Sequence, residues 1–211
     1  MPTPRTDPAP RTIRLGIHGS AHLASRVVAA AGHPRSSVEY VPYEVTEPFA
    51  PLRAGHLDIM IVKYDPFEPD IVVSGPVAFD GRAVLVGARH PLAGRDTVSV
   101  EEVADYDGYR CPGDFPAKVW DLVVPPRTPQ GRTIRRVHSM TTLTALVERL
   151  RTTDAMHVSF QSLDAVLPSD IRVVPVHDLP PSPVALAWLR GSELPEHVGE
   201  FVAAAERAAR R

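Results

Sequence analysis

Residues 83–106 read AVLVGARHPLAGRDTVSVEEVADY, and the organisation of the chain turns on this stretch. It opens as an apolar run, Ala83, Val84, Leu85 and Val86, the pattern of a strand covered on both faces. His90-Pro91 then makes a turn, Gly94-Arg95-Asp96 forms a loop, and Ser99 with Glu102 three residues later starts a short helix. Ser99 can accept a hydrogen bond from a free N–H of the first turn, and Glu102 can reach back to the Ser99 N–H. A buried strand that feeds a turn and then a newly capped helix is a passage from one packed unit to another. The stretch predicts the first hinge of a two-lobed protein.

Upstream, strands and helices alternate. Residues 12–17 (TIRLGI) alternate apolar and polar and predict a strand. His18-Gly19-Ser20 is its turn, with Ser20 as N-cap of a helix from Ala21 to about Ala31. Leu23, Val27, Val28 and Ala31 fall on one face of that helix. Residues 38–45 predict a second strand, with Pro42 marking an edge or bulge. Residues 46–55 fit a short helix capped by Thr46 and stopped by Gly55. Residues 57–62 (LDIMIV) have the nearly unbroken apolarity of a central parallel strand. This order implies βαβ units and a parallel sheet.

Downstream the pattern restarts. Extended pieces are expected at 108–111, 133–137 and 171–176, and helices at 115–124 and 162–167. Ser139 is placed as the cap of a helix bearing Met140, Leu143, Leu146, Val147 and Leu150. Residues 155–160 (AMHVSF) predict a buried strand and residues 184–189 a returning one, before a closing helix from Glu196 to about Ala209. The economical arrangement is an α/β fold of two lobes: residues 12–86 plus 185–211, with 87–184 inserted. Residues 1–11, rich in proline and without an aromatic residue, are expected to be a disordered tail.

Composition narrows the function classes. The 211 residues suffice for one domain or two small lobes. The net charge of −2 supplies no broad basic field for nucleic acid or an anionic membrane. Cys111 is the only cysteine, so no intrachain disulfide can form. The first residues lack the apolar core of a secretory signal, and no run nears the ~20 apolar residues of a membrane helix. The expected compartment is the cytoplasm, with no membrane contact.

In open parallel sheets ligands gather beyond the carboxyl ends of strands, near helix N-termini. That rule places His18, Gly19 and Ser20, Val45 and Thr46, and Ser139, Met140 and Thr141 around one interlobe cleft. Ser20 and Thr141 are candidates for a polar or anionic ligand group, beside the plainer role of N-caps. His18 is a candidate donor to a carboxylate. Lys63 ends the central strand and Phe160 the strand 155–160, so both belong at the cleft. Arg110 could clamp a carboxylate, or lie in a surface ion pair. His18 and His22 have i, i+4 spacing, but His18 precedes the helix and no third ligand stands nearby, so no metal is assigned. His157, in an apolar strand, fits a core histidine. Cys111 has no adjacent base and fits a small buried residue. No phosphate loop, nucleophile elbow or paired-cysteine motif occurs, and no cofactor is assigned.

Two segments resemble a known family. Residues 52–62, LRAGHLDIMIV, are similar to the L-x-x-G-x-L-D-hydrophobic segment of LysR-type transcriptional regulators. Residues 84–104, with His90-Pro91-Leu92-Ala93 and Val98 to Ala104, resemble the segment that follows it in their effector-binding domain. The resemblance covers about residues 12–205. It implies a type II periplasmic-binding-protein fold, in which two lobes, each a mainly parallel sheet flanked by helices, are joined by two crossover strands around one ligand cleft. It also implies a small-molecule effector, an organic acid among the candidates, and a homodimer. The family's winged helix-turn-helix is not matched, since eleven residues precede the first strand, so no direct DNA contact is expected of this chain. The expected function is effector binding as in the regulatory half of such a regulator. The alternatives are a stand-alone dehydratase- or lyase-like enzyme on the same fold, using His18, His22, Arg110, Cys111 and His157, and a decoy that pairs with full-length regulators.

Overall fold

The structure, a computed structural model, describes residues 12–19 and 21–210. The expected tail at 1–11 and the expected cap and ligand group Ser20 lie outside the described residues. Strand β1 (Ile13–Ile17) is nearly all apolar and is flanked by the parallel strands β2 (Val38–Pro42) and β3 (Ile59–Lys63). Helix α1 (Ala21–Ala30) makes the crossover from β1 to β2, and the four-residue helix α2 (Ala50–Arg53) lies between β2 and β3. Along β3 the side chains alternate between two cores. Ile59 and Ile61 pack with Leu15, Val27 and Phe201, while Met60 and Val62 pack with Phe49, Leu52 and Leu57. At Gly16 a Cβ would sit 2.6 Å from Leu57 and 2.8 Å from Met60, so the close approach of β1 and β3 needs glycine there. The Asp58 carboxylate fastens the start of β3 to β1, accepting from the Arg14 backbone N–H at 2.7 Å and from the Arg14 guanidinium at 2.5 Å.

The sheet continues across the long returning strand β11 (Ser182–Leu189), antiparallel to β3. Strands β4 (Ile71–Val73) and β5 (Ala78–Asp80) pair along β11, and helix α6 (Glu196–Ala209) covers one face with Val198, Phe201, Val202 and Ala205.

The second lobe is built on β6 (Arg82–Gly87), flanked by β9 (His157–Phe160) and β10 (Ile171–Pro175). Both pairings are antiparallel, unlike the mainly parallel sheet expected in this lobe. The topology supplies the reason: β6 carries the chain out from the first lobe, and β9 and β10 both run back towards the hinge, ending opposite Arg82 and Ala83. A small parallel pair, β7 (Gly108–Tyr109) with β8 (Arg136–His138), and helices α3 (Val100–Val103), α4 (Ala117–Val123) and α5 (Leu143–Thr152) complete it. The sheets change at Gly81, and residues 182–184 already pair with β3 and β5. Residues 82–87 pair within the second sheet and residues 182–184 within the first.

Two expected helix starts move. Thr46 lies in a turn and caps nothing, and α2 begins only at Ala50, after Phe49. Pro48 disfavours helical backbone at Glu47, which delays the start. Ser139, Met140 and Thr141 remain outside α5, whose N-cap is Thr142, accepting the Ala145 N–H at 3.1 Å. The capping box of Ser99 and Glu102 forms as the sequence predicts, and Asp178 adds an acceptor for the Val100 N–H at 2.8 Å.

Candidate functional site

Between the lobes lies a cavity of about 310 Å³. Residues after β1 and β2 bring His18, Gly19 and Tyr43 to it, and the end of β3 brings Lys63 and Tyr64. From the second lobe β9 supplies His157, Ser159 and Phe160, α4 supplies Val119 and Trp120, and α5 supplies Leu143 and Leu146. The apolar walls follow from position: strand ends and amphipathic helix faces that would otherwise pack one core here face each other across a gap.

The hinge side of the cavity is a charged cluster. Lys63 Nζ lies 2.6 Å from the Asp80 carboxylate, donates to Ser162 Oγ at 3.2 Å, and sits 3.8 Å from the centre of the Phe160 ring. Burial pushes the Lys63 ammonium below its ordinary value; Asp80 opposes that and the Arg82 charge adds to it. Arg82, 2% exposed, donates to the Tyr64 hydroxyl at 2.9 Å, to the carbonyls of Ser159 and Leu122, and to that of Val123. Those last carbonyls end α4, where a cation is favoured by the helix dipole. Arg82 thereby joins the hinge strand to α4, β9 and the first-lobe Tyr64.

Both cavity imidazoles are shifted below their ordinary value. His157 lies 5.7 Å from Trp120 in a stacked arrangement and edge-on to Tyr109 at 5.6 Å. Burial first, then the charges of His18 and Arg82, push its pKa down to about 3, and its Nδ1 has no hydrogen-bond partner. His18 is lowered by burial against the opposing bond from its Nδ1 to the Tyr43 carbonyl at 3.2 Å.

Of the expected site residues, the structure brings His18, Gly19, Lys63 and Phe160 to the cavity. Thr46 stands beside it, where its carbonyl accepts the Asp114 N–H at 2.8 Å across the lobes. Ser139 and Thr141 do not line the cavity, although Met140 between them does. Arg110 is exposed and away from the cavity, engaged through its backbone N–H with His138. Cys111 is half-buried, its thiol donating to the Phe115 carbonyl at 3.2 Å and pushed up by burial, so it is no thiolate. His22 is exposed and does not line the cavity. His157 lines it, in addition to the core packing expected of it. Sequence reasoning missed Tyr43, Tyr64, Trp120 and Arg82. The only signal for Arg82 is a cation opening an otherwise apolar strand. Among the described residues, no three His, Cys, Asp or Glu side chains are grouped to hold a metal, and no helix is long and apolar enough to cross a membrane.

Two lobes, crossover segments and a cavity between the lobes define an effector-binding domain of the periplasmic-binding-protein type. Residues 7–210 match the LysR substrate binding domain family, and the chain belongs to it. Its structure is similar to the effector binding domain of QuiR in complex with shikimate, with a TM-score of 0.69 and 18% identity over 94% of this chain and 97% of that one. It is likewise similar to the BenM effector binding domain with its effector benzoate, with a TM-score of 0.64 and 15% identity over 93% and 90%. The Synechocystis PCC6803 CcmR regulatory domain in complex with 2-PG also aligns, with a TM-score of 0.64 and 15% identity over 95% and 98%. No curated protein sequence matches the chain significantly.

Proposed function

We propose that this chain senses a small molecule in the interlobe cavity and transmits its presence through the closure of the two lobes, as the regulatory half of a transcription regulator. The observation that carries this is the cavity itself, walled by both lobes and set against the hinge cluster of Lys63, Asp80 and Arg82. A ligand touching both walls binds the closed form better than the open one and shifts the balance by that difference. His18, Gly19, Lys63 and Phe160 are the proposed contacts among the residues the sequence singled out. Family membership supports a cytoplasmic homodimer as the working form. An organic acid would have to draw Lys63 away from Asp80 at 2.6 Å.

The test is a thermal-shift screen of small acids and small ring compounds, with each hit recovered and weighed by mass spectrometry. A ligand at 100-fold excess over its Kd adds about 2.7 kcal/mol, a rise of roughly 5–10 °C for a chain of this size. The expected hit is recovered unchanged and loses its effect in Leu143→Trp, which fills the cavity from the first turn of α5. A hit recovered as a new compound would overturn the sensor in favour of an enzyme.

A further inference from the structure

The cavity has a chemistry of its own, and it differs from that of a site built for a polar acid. Its 310 Å³ is about twice the ~150 Å³ of an apolar protein cavity that takes up benzene. It has room for two fused rings. Its walls are Tyr43, Phe49, Phe115, Trp120 and Phe160, with Pro42 and Pro116 among the rest.

The charges near it are already committed. Among the described residues, the formally charged side chains lining the cavity are Lys63 and Glu44. Lys63 is neutralised by Asp80, and Glu44 would repel an anion. Arg82 spends its guanidinium on the Tyr64 hydroxyl and three carbonyls beneath Phe160. Arg110, the candidate clamp, is elsewhere. A carboxylate or phosphate entering here would leave water without gaining a free cation, and buried charge without a partner is strongly disfavoured. A polyol would bring hydroxyls to walls with few partners for them. What the walls do offer is modest: the His157 and His18 imidazoles, the Ser159 hydroxyl, and the Tyr64 hydroxyl, which accepts from Arg82 and keeps its own proton to donate. His157 is 6% exposed and its Nδ1 lacks a partner.

We propose that the effector of this chain is an uncharged, mainly apolar molecule of about two fused rings with a single carbonyl, amide or hydroxyl group, held between Trp120 and Phe160 with its polar edge towards His157 and Tyr64. This rests on the effector-binding function proposed above and names its ligand class.

Calorimetry with three probes tests it: indane-1-carboxamide, indane-1-carboxylate and shikimate, each titrated into the full chain and into the cavity-filling variants Leu143→Trp and Val119→Trp. Leu143 is 44% exposed, so its variant is the one that keeps the fold. The carboxamide should bind at least about tenfold more tightly than the carboxylate, since the two differ mainly in charge. Shikimate should give no heat, and both filled variants should lose the carboxamide. The carboxylate or shikimate binding as tightly as the carboxamide, and lost on filling, overturns the uncharged class and keeps the cleft as the effector site. No probe binding at about 1 mM overturns the class too, because burial of a bicycle in such walls exceeds that threshold. Binding that survives in both filled variants overturns the cleft as the site.

Discussion

Asp80→Asn probes the hinge cluster most directly. Asp80 is 5% exposed and Lys63 has 17% of its side chain exposed, with 2.6 Å between their charged atoms. Asparagine keeps the acceptor for the Ser162 N–H, now made by Asp80 Oδ1 at 3.2 Å, and removes only the charge. Removing one partner of a buried pair costs about 3–5 kcal/mol. Two features set the expectation at the lower end: Lys63 keeps the Ser162 hydroxyl, and it reaches some solvent. Lys63 can also release its proton, and doing so at pH 7 from an ordinary value of 10.5 caps the loss at about 5 kcal/mol. The expected loss is about 3 kcal/mol, or roughly 6–12 °C in Tm, read by urea and thermal unfolding followed by circular dichroism. The double variant Lys63→Met, Asp80→Leu should regain most of it, because an apolar pair carries no unpaired charge. A single variant within ~1 kcal/mol of the parent, or a double variant no better than the single, would refute the argument that these charges are buried and mutually dependent.

Three further outcomes are expected. The His157 pKa, pushed to about 3 in the folded chain against an ordinary 6.5, means that between those values the unfolded chain binds the proton and the folded one does not. Stability therefore falls as the pH drops below 6.5, by about 1.6 kcal/mol from this residue alone between pH 6.5 and 5. His157→Leu should flatten that slope in urea titrations at several pH values, and parallel curves for parent and variant would contradict it. Gly87→Ala should cost about 3 kcal/mol, since the new Cβ would lie 2.1 Å from the Leu150 carbonyl where β6 meets α5; a stable variant would mean that α5 gives way easily. Thr142→Ala should cost about 1 kcal/mol and Ser139→Ala less than ~0.5, which chemical denaturation resolves; the reverse order would move the start of α5 back to Ser139.

The first-lobe architecture was legible because each of its signals is local. The apolar run at 57–62 and the alternation at 12–17 report burial of particular faces, and β3 and β1 bury those faces. The capping box at Ser99 was legible for the same reason: both of its hydrogen bonds lie within three residues. The site was half legible. His18, Gly19 and Lys63 follow strand ends, so topology alone sends them to the cleft. Arg110 and Thr141 do not line the cavity: a shift of one or two residues in a loop redirects a side chain, and loops carry no periodic pattern to fix it. Trp120 and Tyr43 read as ordinary core aromatics, which nothing local separates from cavity walls. The antiparallel second sheet depended on which end of β9 and β10 meets the hinge, a long-range fact absent from their own residues.

The two sides of the cleft are tied with unequal strength, and that sets how a ligand can act. At the hinge side the charged cluster joins both lobes through Lys63 and Asp80 to Ser162, and through Tyr64 to Arg82. At the opposite side stand one backbone bond, Asp114 N–H to the Thr46 carbonyl at 2.8 Å, and Lys118 lying 5.8 Å from the exposed ring of Phe67. Those two contacts together are worth about 1–2.5 kcal/mol. Separating the lobes there costs little, while parting the hinge cluster would strand buried charge. On the closure proposed above, the cleft would open on the Thr46 side and pivot on Lys63, Asp80 and Arg82. A ligand that buries ~100 Å² more apolar surface in the closed form than in the open one gains about 2.5 kcal/mol, as much as the contacts that hold that side shut without it. On that proposal, occupancy of the cavity would raise the closed-to-open ratio by roughly 70-fold, the equivalent of that 2.5 kcal/mol.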